Sequence, residues 1–143
     1  MTKSFNIQLP YINQKVVIGS GITLQELTNI TVNYSQIVIL IDTNVLQLKL
    51  KKILDDLKDS QPTKKVCVIK LFPDRYFKSL EYATSIFAEL ADHGVTRNTV
   101  LIAIGGGFVG DVGGFIASVY MRGLTFVQVG TTLMSQVDAI VGK

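Results

Sequence analysis

Three consecutive glycines, Gly105-Gly106-Gly107, form the stretch of this chain best suited to chemistry. They follow the apolar, β-branched run Val100 to Ile104 without a spacer, and they precede a mostly apolar stretch of helical length, Phe108 to Tyr120. A buried strand that empties through glycines into a helix brings unpaired backbone N–H groups and a partial positive charge to one point. Such a point suits an anion, and phosphate above all. Gly105, Gly107 and Gly110 also satisfy the dinucleotide pattern G-x-G-x-x-G in its strand–turn–helix context, although glycine triplets serve as plain tight turns too. Asp111 is expected in the first turn of the helix, where its charge favours the dipole and its carboxylate can accept from a sugar hydroxyl. Gly110, Gly113 and Gly114 each weaken an isolated helix by roughly 1 kcal/mol relative to alanine, so close approach of a strand, a helix or a cofactor must compensate.

Other chemistry-bearing residues stand at the ends of expected strands. Asp42 follows the fully apolar run Ile37 to Ile41. An acid there can contact the ribose of a dinucleotide or can cap the helix that follows, and spacing alone leaves the two readings even. Thr131-Thr132 opens the last helix after a strand from Thr125 to Val129; paired hydroxyls there are first a cap, yet beside a phosphate loop they can also donate to a cofactor. Arg122, between the glycine-rich helix and Gly123, is a plausible phosphate ligand by its fork geometry.

The elements that must hold these residues follow from periodicity. Phe5 to Leu9 and Lys15 to Ile18 are two short strands around a turn containing Pro10 and Asn13, and a short helix follows from about Thr23 to Thr28. Leu46, Leu50, Ile53, Leu54 and Leu57 then trace a helical face. Lys65 to Leu71 is a strand ended by Pro73-Asp74, and a helix from about Lys78 to His93 is capped by Gly94. Strands alternating with helices predict an α/β fold, a Rossmann-like parallel sheet flanked by helices, with an N-terminal antiparallel pair. One dinucleotide-binding domain over 1–143 is expected, with 1–35 carrying the first strands and short helix and 36–143 the nucleotide-binding core. The glycine loop follows the third strand of the parallel series rather than the first, so the ordinary dinucleotide-binding strand order is not expected.

Composition excludes several classes. The chain has 143 residues, one cysteine and one histidine, so an internal disulfide and a multi-cysteine metal site are both excluded. Cys67 reads as a small core residue on a strand, and His93 as a helix-end residue suited to the dipole. The net charge of +3 could suggest nucleic acid, but the lysines between 49 and 65 alternate with leucines and lack interleaved aromatics, as on a solvated helix face. No apolar run is long enough for a membrane span. The opening MTKSFNIQLP lacks the core of a signal peptide, which makes the cytoplasm the expected location. A mean hydropathy of +0.37 is high, and implies either strands buried on both faces or apolar surface that meets a partner.

The string GGGFVGDVGGFIASVYMRGLTFVQVGTTLMSQVD, Gly105 to Asp138, resembles the signature of the 3-dehydroquinate synthase family without a gap, and weaker agreement extends back to about Ile37. Members of that family convert 3-deoxy-D-arabino-heptulosonate 7-phosphate to 3-dehydroquinate and phosphate in the shikimate pathway, on the way to aromatic amino acids. A ring alcohol is oxidised by NAD, phosphate is eliminated, the hydride is returned and an intramolecular aldol step closes the ring. They are considerably longer than this chain, which resembles their N-terminal, NAD-binding half. The resemblance implies that the fragment is inactive alone, that the intact enzyme is a homodimer, and that zinc is held by residues of a C-terminal domain outside this region; no metal ligand is therefore assigned here.

Residue by residue, the resemblance assigns Asp42 and Asn44 to the NAD adenosine and Lys78 to the NAD. The same applies to Gly106, Gly107, Asp111, Thr131 and Thr132, as cofactor contacts. The family turn Pro-Asp-Gly-Glu reads Pro73-Asp74-Arg75-Tyr76-Phe77-Lys78 here and lacks the glutamate, for which Asp74 is the candidate substitute. Arg122 matches an arginine that contacts the substrate phosphate across the dimer interface, and Asp138 an active-site acid. The family continues to a catalytic lysine six positions after that aspartate, whereas Lys143 is five after Asp138. Either one glycine is missing and Lys143 is that lysine, or Lys143 replaces the second glycine. GGFIAS and RGL also resemble another sugar-phosphate cyclase, 2-deoxy-scyllo-inosose synthase, while Asp111 and Gln136-Val137-Asp138 favour the shikimate enzyme. A non-catalytic NAD-binding module and a metal-dependent polyol dehydrogenase are the readings from other classes.

Overall fold

The computed structural model describes residues 1–46, 50–74 and 78–139. Its centre is a parallel sheet of four strands, β3 (Gln36–Asp42), β4 (Lys65–Leu71), β5 (Thr99–Gly105) and β6 (Thr125–Gly130), in the order β4-β3-β5-β6. Every residue of β3 and β5 is buried, which is why both read as unbroken apolar runs rather than alternating ones. The outer strands β4 and β6 alternate or stay half-exposed.

Two cores sandwich the sheet. On one face Val38, Leu40, Leu101 and Ala103 pack against Ala83, Ile86 and Leu90 of α4 (Leu80–Asp92) and Val109 and Ile116 of α5 (Gly107–Val119). On the other, Ile37, Ile39, Ile41 and Ile102 meet Leu27 of α1 (Thr23–Thr31) and Leu54 and Leu57 of α3 (Lys51–Asp59). The α3 crossover runs from β3 outward to β4, while α4 and α5 carry the chain the other way. A single handedness of crossover then requires helices on opposite faces, as found. Full burial of each such leucine or isoleucine contributes about 1.5–3 kcal/mol, so these two layers supply the main stabilisation.

Adjacent lysines tie this sandwich at its lower rim. Lys64 donates to the carbonyl of Thr31 at the end of α1, and Lys65 to that of His93 at the end of α4. Each cation meets the negative end of a helix, on opposite faces of the sheet. His93 and Gly94, at φ 60°, close α4 as expected.

Some boundaries differ from the sequence reading. The antiparallel pair β1 (Lys3–Leu9) and β2 (Ile12–Ile18) is seven residues a side, and only Pro10-Tyr11 lie between Leu9 and its partner Ile12. Asn13 is therefore a strand residue opposite Gln8 and not part of the turn. The leucine-rich stretch after β3 opens with the helical turn α2 (Thr43–Val45), which Asp42 caps at once. Among the described residues no helix is long and apolar enough to cross a membrane.

Candidate functional site

The carboxyl ends of β3 and β5 lie side by side, and from that point the chain leaves toward β4 in one direction and toward β6 in the other. This is the switch point of an open parallel sheet, where the diverging loops leave a crevice for a ligand. Asp42 ends β3 and Gly105 ends β5; a Cβ added to Gly105 would lie 3.1 Å from the Cβ of Asp42 and 2.7 Å from Val109. Gly105 pairs in turn with Gly130 at the end of β6, and the N–H of Thr131 donates to the Gly105 carbonyl at 3.0 Å. The expected residues from three strand ends are thus contiguous.

At the loop itself Gly106 is the extended N-cap of α5 and has no side chain to satisfy the helix terminus. The first helical bond returns from Gly110 N–H to the Gly106 carbonyl at 3.2 Å, which leaves the N–H groups of residues 107–109 for an external acceptor. Beside it Thr132 and Ser135 form a reciprocal cap, Thr132 N–H donating to Ser135 Oγ at 3.1 Å and Ser135 N–H to Thr132 Oγ1 at 3.2 Å. Thr132 therefore does act as a cap. Thr131 does not, and its Oγ1 is buried without a hydrogen-bond partner among the described residues.

Asp42 is 8% exposed, and its Oδ1 accepts from Asn44 N–H at 2.7 Å. The cap reading is realised, and it occupies one carboxylate oxygen. Asn44 and Asp74 are exposed, the latter in a turn whose N–H donates to Phe72 O at 2.9 Å.

Lys78 and Asp111 meet across the α4–α5 seam, Nζ to Oδ2 at 2.7 Å. Phe108, next to the glycines, packs on Tyr82 of α4 with ring centroids 6.5 Å apart, and this holds the two helices in the alignment the ion pair needs. Burial there pushes the Tyr82 hydroxyl above its ordinary range. Asp111 corrects one expectation: α5 begins at Gly107, so no acid lies in its first turn, and Asp111 is held by Lys78 rather than by the helix end alone. A groove of about 250 Å³ beside the pair is lined by Lys78, Ser79, Leu80, Ala83, Asp111, Val112 and Phe115.

Two candidates stand apart. Arg122 follows the far end of α5, about 20 Å from the glycine loop at 1.5 Å per residue. It is exposed, and it shares with Met121 a left-handed backbone, φ 66° and 52°. Asp138 is exposed on a π-helical turn, Ser135–Ala139, that packs against α5. Lys143 lies outside the described residues.

Two of the helix glycines, Gly110 and Gly113, are explained by the sheet beneath them. A Cβ on Gly113 would lie 2.9 Å from Ala103 Cβ and 3.1 Å from the Phe126 ring, so α5 sits closer to β5 and β6 than any larger residue permits. Under Gly110 lies Gln128, to which the sequence reading gives no role beyond interrupting an apolar run. Its signal was a single amide in the otherwise apolar strand run Phe126 to Val129. Ser135 was missed as well, although Thr-x-x-Ser is a capping spacing.

Residues 66–143 match the family model described as 3-dehydroquinate synthase N-terminal. The chain belongs to the 3-dehydroquinate synthase family. A relative so named from Vesicomyosocius okutanii subsp. Calyptogena okutanii (strain HA) is 37% identical over 142 residues, which are 98% of this chain and 38% of that protein. The chain thus spans about two-fifths of the length of the 3-dehydroquinate synthase it matches there. Among solved structures, 2-deoxy-scyllo-inosose synthase complexed with carbaglucose-6-phosphate, NAD+ and Co2+ superposes with a TM-score of 0.81, over 96% of this chain and 38% of that one. At 20% identity that likeness speaks for the fold. The 2-epi-5-epi-valiolone synthase of Streptomyces hygroscopicus subsp. jinggangensis 5008, with NAD+ and Zn2+ bound, superposes at 0.68 with 26% identity, over 76% of this chain and 30% of that one.

Proposed function

We propose that this chain forms the NAD-binding portion of a 3-dehydroquinate synthase acting on 3-deoxy-D-arabino-heptulosonate 7-phosphate. The observation that carries the reading is the glycine loop at the sheet's switch point, flanked by Asp42 on one side and Thr131 on the other. The site fits a dinucleotide. Its helix N-terminus lacks a side-chain cap, and Thr131 Oγ1 is buried and, among the described residues, unpartnered. When bound, NAD would supply reversible oxidation of a ring alcohol.

The chain's own residues would orient that cofactor. The N–H groups at the start of α5 would hold the pyrophosphate, where the helix dipole favours negative charge. Asp42, through the carboxylate oxygen its cap leaves over, and Asn44 would accept from and donate to the adenosine. Lys78 and Asp111 together present a cation and an acceptor at the loop's other flank, and Asp74 and Thr132 complete the set.

Arg122, at the far end of α5, cannot reach a ligand on the loop of its own chain. Its position favours a role across a homodimer interface, on the phosphate of a site in the second copy. Asp138 belongs to the catalytic machinery in this reading, with Lys143 beyond the described residues. Among the described residues no three of His, Cys, Asp and Glu converge, so the residues described do not fit a zinc ion, which would take its ligands elsewhere in the longer protein. A soluble, cytoplasmic enzyme follows from the same assignment.

The test has two arms. Calorimetric titration of this chain with NAD should give saturable binding that is lost when Lys78 and Asp42 are replaced together. The full-length protein should release phosphate from the heptulosonate phosphate and not from glucose 6-phosphate. The opposite preference would assign it to the inosose branch, and steady accumulation of NADH to a polyol dehydrogenase.

A further inference from the structure

The side of β6 that faces α5 presents Phe126 and then Gln128. Phe126 supports Gly113, and Gln128 supports Gly110 one turn earlier in the helix. A Cβ at Gly110 would meet the carboxamide head-on, with Cδ at 2.8 Å, Oε1 at 3.0 Å and Nε2 closer still. The carboxamide therefore fills the space beneath Gly110 where a side chain would start. Nε2 is buried there without a hydrogen-bond partner among the described residues. An apolar side chain of the same length would avoid that penalty, so stability does not explain the glutamine.

Gly110 is also where the glycine loop becomes helix, since its N–H closes the first helical bond to Gly106. Asp111, the partner of Lys78, is the next residue. Any change in the height of α5 above β6 at this point moves the open N–H groups and the Asp111 carboxylate together. We propose that Gln128 is a positioning residue whose bulk beneath Gly110 sets the height of the α5 N-terminus and so aligns the cofactor loop. This rests on the reading of the loop as a NAD site.

The experiment measures NAD affinity and thermal unfolding of the full chain for wild type, Q128A, Q128M, G110A and the double variant G110A/Q128A. Q128A and G110A should each weaken NAD binding about tenfold, the first by letting the helix sink and the second by lifting it. In the double variant the added methyl occupies vacated space, so its loss should be well below the product of the two single losses. Q128M keeps the bulk without the stranded donor, and should bind NAD within about twofold of wild type with an equal or higher Tm.

Multiplicative losses in the double variant, or an unchanged affinity in Q128A, overturn the inference. So does Q128M binding as weakly as Q128A, because the amide rather than its bulk would then be required. Should Q128A fail to fold, the other two single variants decide: G110A binding NAD as tightly as wild type, or Q128M losing about tenfold, overturns the inference. A wild-type chain that does not bind NAD removes the cofactor reading and this inference with it. A wild type that binds while Q128A is unaffected removes the inference alone.

Discussion

Lys78 and Asp111, 33 residues apart in the chain, form an ion pair at 2.7 Å across the seam between α4 and α5. Both side chains are about half exposed, at 49% and 44%, and water screens much of their attraction. An exposed pair of this kind contributes about 0–1 kcal/mol to folding. Its placement beside the glycine loop is better explained by a ligand than by stability. Replacing Lys78 by Ala or Asp111 by Asn should shift the unfolding free energy by less than about 1 kcal/mol. NAD affinity should fall about tenfold or more in either variant. Chemical denaturation and NAD titration on the same samples separate the two effects, and an unchanged affinity would remove both residues from the cofactor site.

Asp42 offers a cleaner division between cap and ligand. Asparagine caps helices about as well as aspartate, so Asp42→Asn should retain the Asn44 bond and change stability by less than about 1 kcal/mol. It should nevertheless weaken NAD binding several-fold, because an amide accepts a ribose hydroxyl less strongly than a carboxylate. Equal binding by D42N and wild type would leave Asp42 as a cap only.

Gly113 tests whether helix propensity or packing wins. Alanine is the better helix former by about 0.8–1.0 kcal/mol. At this position its methyl would lie 2.9 Å from Ala103 Cβ, both on rigid elements that cannot yield cheaply. Overpacking of that kind costs about 1–3 kcal/mol, so Gly113→Ala should be destabilising on balance. A stabilised G113A in urea unfolding would show that α5 stands further from the sheet than described.

Cys67 is buried on β4, and burial pushes its thiol above the ordinary value of 9.0, reinforced by Glu89 and opposed by Lys65. In the unfolded chain the thiol ionises at its ordinary value, while in the folded chain burial moves its ionisation to higher pH. Its contribution to stability is therefore complete below that value and declines as pH rises beyond it. The stability difference between wild type and Cys67→Ala should shrink between about pH 7 and about pH 10, where an ordinary thiol ionises. Thiol-reactive reagents should label Cys67 at neutral pH only after unfolding. Rapid labelling of the native chain would contradict this burial.

The sequence by itself determined the parallel core, because Ile37 to Ile41 and Val100 to Ile104 are too uniformly apolar for any element but strands buried on both faces. It also placed the glycine turn at a strand end, since strand, glycines and helix are contiguous in the chain, and local order is what a sequence writes directly. Tertiary structure decided everything that depends on distance through space. Only the β4-β3-β5-β6 order puts Asp42 beside Gly105, and only the packing of α4 on α5 brings Lys78 to Asp111. The close approach of α5 likewise gives the small residues Gly110 and Gly113 their purpose, and a strand glutamine that looked like an interruption its place beneath the loop. These contacts join residues tens of positions apart, and no periodicity along one segment can encode which other segment will lie against it.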